Sequence, residues 1–111
     1  MSNEPASRIA RLRAQLGGAR DGALLRHALG TALFEAGDAT QAVPQLRAAL
    51  EFDPDYSAAW KLLGKALVAS GEPPAAAEAW RRGIAVAEAR GDVQAAREMR
   101  VFLKRLAPSR E

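Results

Sequence analysis

An all-α fold, a stack of helical hairpins with about six helices, is predicted by three features of this 111-residue sequence. The chain is rich in Ala, Leu and Arg and poor in Val, Ile, Thr and aromatic residues, so helix formers dominate. It also repeats itself. Leu29-Gly30 recurs as Leu63-Gly64, Leu33 as Leu67, Gly37 as Gly71, Ala42 as Ala76, Leu46 as Trp80 and Ala49 as Gly83, always 34 residues on. Finally, Gly37-Asp38 and Gly71-Glu72-Pro73-Pro74 fall between the periodic runs, where helices should stop and restart.

The segments follow in order within one domain, residues 1–111. A lead helix is expected over residues 6–16, where Ile9, Leu12 and Leu16 form a stripe among Arg8, Arg11 and Arg13, ended by Gly17-Gly18. Its expected role is to cover the open end of the first repeat; a basic amphipathic helix can also lie on a membrane or a partner. The first repeat spans 23–56 and the second 57–90. In each first helix a pair of leucines (Leu29 and Leu33, Leu63 and Leu67) lies one turn apart on one face. Gly64 lies mid-helix on that face, where Gly costs about 1 kcal/mol relative to Ala. The cost is offset if Gly64 admits a second backbone closely, with Ala76 and Gly83 as the small residues opposite. Asp38 is an N-cap with Gln41 three residues on, and Pro73 opens a helix. Pro54 fits a first turn after Asp53. Pro44 falls inside the expected second helix, where it should remove one hydrogen bond and bend it slightly.

Residues 92–106 read as a capping helix. Asp92 caps it, Pro108 stops it, and Ala95, Ala96, Met99, Phe102, Leu103 and Leu106 follow helical spacing, with Arg97, Glu98, Lys104 and Arg105 mostly off that stripe. Continuing the repeat phase would put Arg97 and Glu98 where Leu and Gly belong, so a cap is expected rather than a third repeat. The end of the chain, from Ala107, is expected to fray.

Several classes of function are excluded or disfavoured. The absence of Cys and the single His rule against a structural metal site, and no metal or cofactor is expected. Neither a signal peptide nor an apolar run of about 18 residues is present, so a cytoplasmic protein without a membrane span is expected. His27 and Thr31 lie one turn apart, but no triad, phosphate loop or HExxH accompanies them, so no catalytic residues and no enzyme are expected. The net charge of +3 favours anionic partners mildly. Without an aromatic–basic platform, nucleic acid is disfavoured.

The period and the residues Trp60, Leu63, Gly64, Leu67, Ala76, Trp80 and Gly83, with Leu29, Gly30, Leu33, Ala42, Leu46, Ala49 and Pro54 in the first copy, resemble the tetratricopeptide repeat. Arg26 departs from the pattern, standing where the family has an aromatic. The resemblance places Trp60 and Trp80 in the core. It implies a non-enzymatic adaptor that binds a peptide or protein segment in a concave groove lined by the first helices. The groove positions are Leu24, His27, Thr31 and Phe34 from the first repeat, and Ala58, Lys61, Lys65 and Val68 from the second. Lys61 and Lys65 favour an anionic segment. The carboxylate clamp of the family's chaperone-binding members is incomplete here, with His27, Thr31 and Leu62 at its positions. The alternative is an assembly module that forms homo-oligomers or docks into a larger complex through its terminal helices.

Overall fold

The computed structural model describes residues 4–106, which form six helices: α1 (Glu4–Ala14), α2 (Ala23–Glu35), α3 (Ala39–Phe52), α4 (Ser57–Ala69), α5 (Pro73–Arg90) and α6 (Val93–Leu106). Pro108 and the rest of the expected frayed end lie outside the described residues. Helices α2 and α3 form one hairpin and α4 and α5 the next; α4 packs on α3 and touches α2. Leu29, Leu33, Leu46, Leu63, Leu67, Trp80 and Met99 run through a single core.

The helix ends follow from local chemistry. Asp38 caps α3, accepting from the Gln41 backbone N–H at 3.1 Å and from the Gln41 side-chain amide at 2.8 Å. Gly37 and Gly71 adopt left-handed φ values of 85° and 82°, which disfavour a Cβ. Each turn is closed by an N–H five residues past its carbonyl: Asp38 to Leu33 and Glu72 to Leu67, both 2.8 Å. Pro44 stands on the exposed side of α3, which continues through it. Pro54 is not in a helical first turn; residues 53–56 form a loop in which Asp53 accepts from the Asp55 N–H at 3.0 Å. The lead helix starts and ends two residues earlier than its periodicity implied, because Gln15 and Leu16 turn back onto Leu12 and Arg13. Leu16 still packs against the core alongside Ile9 and Leu12.

Gly64 does face a close neighbour, but the neighbour is a side chain rather than a backbone. The Trp80 indole stands where a Cβ at position 64 would be, with Cδ1 2.6 Å from that point, and its Nε1 donates to the Lys61 carbonyl at 3.1 Å. Gly30 is likewise covered by Leu46 of α3. Trp80 is core, whereas Trp60 is only half-buried, its Nε1 donating to the Pro54 carbonyl at 2.8 Å. In place of an aromatic, Arg26 makes a two-pronged ion pair with Asp21 at 2.8 and 2.9 Å and reaches Gln45 at 3.2 Å.

The last helix departs from the expected phase. It packs on α5 and touches α4, as α4 packs on α3 and touches α2, so it takes the place of a further first helix. Helix α5 is four residues longer than α3 (18 against 14), and the loop after it is two residues shorter (residues 91–92 against 53–56). The register therefore slips by two. Met99 falls where Leu63 does, Ala95 where Ala59 does, and Arg100 where Gly64 does; Met99 and Ala95 are buried like their counterparts.

Candidate functional site

Helices α2, α4 and α6 share one face, and every groove position read from the sequence lies on α2 or α4. Leu24 opens the face at the start of α2 and is 75% exposed; Val68, at the far end of α4, is 41% exposed. Phe34 is half-buried and packs partly against the core, and Ala58 is also half-buried. His27 is half-buried with its ring 4.8 Å from that of Tyr56. Thr31 turns its hydroxyl back into its own helix, donating to the His27 carbonyl at 2.8 Å. His27 and Thr31 are thus engaged with neighbours and form no acid–base pair with each other.

The two lysines behave differently. Lys65 is exposed, with its ammonium 5.4 Å from the centre of the Phe102 ring. Lys61 is half-buried and donates to the Glu98 carboxylate at 2.6 Å, which also accepts from Gln94 at 2.8 Å. Lys61 is therefore paired within the fold, and of the two lysines Lys65 is the exposed one. The residues that complete this face, Gln94, Glu98, Val101 and Phe102, all come from α6. They were missed because the repeat phase, continued unbroken, runs two residues out of register with α6.

Polar ties hold α6 against the second repeat. The Ser57 hydroxyl donates to Asp92 at 2.8 Å, and the same carboxylate caps α6 by accepting from the Ala95 N–H at 3.2 Å. The Ser57 hydroxyl bond, followed by the Ala95 N–H, holds the Asp92 carboxyl below its usual range. The Lys61 bond, followed by that from Gln94, does the same for Glu98. Asp21, bound to Arg26 and to the Gly17 N–H, is lowered to about 2. Burial lowers His27.

These shifts have the same sign of consequence. Each group takes up a proton more readily in the unfolded chain, so acid favours unfolding. The His27 contribution is lost as pH falls below its ordinary 6.5. The carboxylate contributions are intact above their ordinary values of 3.8 for Asp92 and 4.5 for Glu98, and are lost below them. The melting temperature, followed by circular dichroism against pH, is expected to decline in two stages. His27→Phe removes the first stage; a variant that keeps both would remove His27 from the account.

On the opposite side, a cleft of about 450 Å³ lies between α3 and α5, floored by Trp60, Leu63 and Ala79. Arg47 and Glu51 form one rim; on the other, Arg82 pairs with Glu78 at 3.2 Å and lies 5.9 Å from the Trp60 ring centre. Among the described residues no group of three His, Asp or Glu side chains is placed to hold a metal ion, and no helix is long and apolar enough to cross a membrane.

Comparison with known proteins agrees with this architecture. The sequence model of the tetratricopeptide repeat matches residues 33–99. The TPR repeat-containing protein PA0015 of Pseudomonas aeruginosa is 50% identical over 90 residues, covering 81% of this chain and 86% of that protein. The solution structure of protein BPP2914 from Bordetella parapertussis, 48% identical, superposes with a TM-score of 0.78 over 89% of this chain and 86% of its own. The crystal structure of MamA, 22% identical, shares the fold with a TM-score of 0.69 over 92% of this chain and 66% of its own.

Proposed function

The chain belongs to the tetratricopeptide-repeat family, and from that premise we propose that it is a non-enzymatic adaptor that binds a peptide or protein segment along the face of α2 and α4. The observation that supports this reading is the exposure of Leu24 and Val68 at opposite ends of that face. The core gains little from either, while burial under a ligand would be worth about 1.5–3 kcal/mol for each side chain fully covered. Lys65 stands one turn before Val68 and is the cation available to an anionic segment. Selectivity for an acidic ligand therefore rests on Lys65, with Lys61 bound to Glu98 beside it.

The test is a titration of the partner recovered from the native cell, with circular dichroism as the folding control. Leu24→Asp with Val68→Asp is expected to weaken binding by about tenfold or more, since two apolar contacts become charged. Lys65→Ala is expected to cost about 1 kcal/mol or more and to flatten the salt dependence. Lys65→Ala alone is the cleaner charge variant, because Lys61→Ala also strands Glu98 and loosens α6. Equal affinities for all three proteins would move the binding site off this face.

A further inference from the structure

Two gaps of the same kind run along the second-helix side of the stack, one between α1 and α3 and the other between α3 and α5, and the repeat makes each a control for the other. Helix α1 packs on α2 as α3 packs on α4. In the 34-residue phase Arg13 corresponds to Arg47, Arg26 to Trp60, Gln41 to Ala75 and Gln45 to Ala79. In the first gap these positions are bonded to one another: Arg13 donates to Gln41, and Arg26 to Gln45. In the second gap both glutamines are alanines, and the two bonds have no counterpart. What opens in their place is the cleft of about 450 Å³ over Trp60. The opening left in the first gap lies toward Ala6 and Ala36 and has no aromatic side chain among its lining residues.

The second cleft has the shape and polarity for a ring that carries an acid beside it. Trp60 is half-buried because Ala75 and Ala79 leave one side of it uncovered. Its Nε1 bond to the Pro54 carbonyl fixes the indole, and the Arg82 guanidinium stands over the ring face. That face therefore looks into the cleft, with Leu50 and Leu63 completing an apolar floor. Aromatic pairs are favoured beyond the area they bury, so a second ring covers an indole face well. The rims add a sign. Arg47 is exposed and takes part in none of the ion pairs or arginine hydrogen bonds among the described residues. Of the two rim acids, Glu78 pairs with Arg82. Glu51 is near enough to Arg26 to add, after Asp21, to what holds that guanidinium protonated. The unanswered charge of the cleft is thus the Arg47 cation.

We propose that the α3–α5 cleft seats an aromatic side chain of a partner protein, with a neighbouring carboxylate of that partner bonded to Arg47. The ring lies on the Trp60 indole beside Ala75 and Ala79, in the space that Gln41 and Gln45 occupy in the first gap. A partner chain fits better than a free small molecule. The cleft is open between two exposed rims, and a lone ring there would stay half in water. A side chain brings its own backbone to cover the opening, as aromatic anchors at interfaces do. This cleft is on the opposite side from the α2–α4 face and does not depend on it.

The probe is acetyl-Asp-Phe-amide, titrated into the millimolar range and followed by the NMR signals of the protein. The Trp60 indole N–H reports on the cleft; that of Trp80, bonded to the Lys61 carbonyl in the core, is the control. The Trp60 signal is expected to move and saturate while the Trp80 signal stays. Acetyl-Asp-Ala-amide is expected not to saturate it. Acetyl-Asn-Phe-amide is expected to bind about tenfold more weakly, the worth of one charge-assisted hydrogen bond. Ala75→Gln, which gives the second gap the residue that the first has, is expected to fold and to lose most of the binding. Arg47→Gln, on an exposed rim, is expected to bind the Asp and Asn peptides equally, and it keeps the test decisive if Ala75→Gln disturbs the fold. The proposal is overturned by a Trp60 signal that does not saturate, by larger movements on the α2–α4 face than at Trp60, by a folded Ala75→Gln that binds as wild type does, or by a preference for Asp that survives Arg47→Gln. A dimer in sedimentation that Phe52→Ala dissociates would give the cleft to the exposed Phe52 of a second copy, and would overturn the assignment to a partner protein.

Discussion

Gly64→Leu is expected to lower the melting temperature by about ten degrees or more, or to prevent folding. Even a methyl group at position 64 overlaps the Trp80 indole, which is 4% exposed and cannot swing into solvent without opening the core. Moving the indole also breaks its bond to the Lys61 carbonyl, leaving a buried N–H unpaired. Overpacking of a dense core costs about 1–3 kcal/mol and more where the obstacle is rigid. In a domain of this size about 3 kcal/mol is worth at least ten degrees. Gly64→Ala is the finer test, because Ala is the better helix former by about 1 kcal/mol. With Trp80 in place the clash should dominate and Ala should destabilise. In a Trp80→Ala background the clash is gone, and the same substitution should stabilise. The sign of the effect therefore reverses across the double-mutant cycle. The same sign in both backgrounds would show that Gly64 is not there for Trp80.

How much of this was legible from the residues alone depends on the range of the interaction. Short-range signals carried well. Asp38 with Gln41 and Pro73 after Gly71 marked helix starts, because caps and proline act within one turn of the chain. The repeat located the core leucines and the tight position at Gly64, since equal spacing of like residues implies equal packing. What failed was the assumption of a constant period. The extra turn of α5 is composed of ordinary helix formers and leaves no mark in composition. The signal that could have found it is Gly91-Asp92, a helix stop and restart of the same kind as Gly37-Asp38, which starts the last helix at residue 93 where the 34-residue phase puts it at 91. Re-phased there, Met99 would have fallen with Leu29 and Leu63. The pairing of Lys61 with Glu98, 37 residues away, and of Ser57 with Asp92 depends on how neighbouring helices are spaced, which no local pattern encodes. The lysines could be placed on the face from sequence; whether their charges were free could not.

Removal of α6, by ending the chain before Asp92, is expected to abolish cooperative unfolding. Met99 is fully buried and its sulfur lies against Gly83, while the Phe102 ring sits 5.4 Å from that of Trp80. Without them the α5 face bearing Trp80, Gly83 and Ala87 meets water, together with the flank of α4 that α6 covers. A contiguous apolar surface of that kind makes a chain associate. The polar ties are lost as well: Ser57 loses its acceptor and Lys61, half-buried, loses its counter-charge. Nothing in α1 offers a comparable anchor at the other end, since none of its residues is fully buried. The C-terminal end of the stack is therefore the better consolidated one, and the second repeat depends on it. Met99→Ala separates packing from the polar ties. It should cost about 2–5 kcal/mol, as for other large-to-small core changes, while the ion pair and the Ser57 bond stay in place. Lys61→Met with Glu98→Met removes the ion pair without stranding a charge and should cost far less, because a half-exposed pair contributes little. Denaturant unfolding of the truncation and of these two variants gives the order directly. A truncated chain that remains monomeric and unfolds in one sharp transition would show that α5 can close the stack alone.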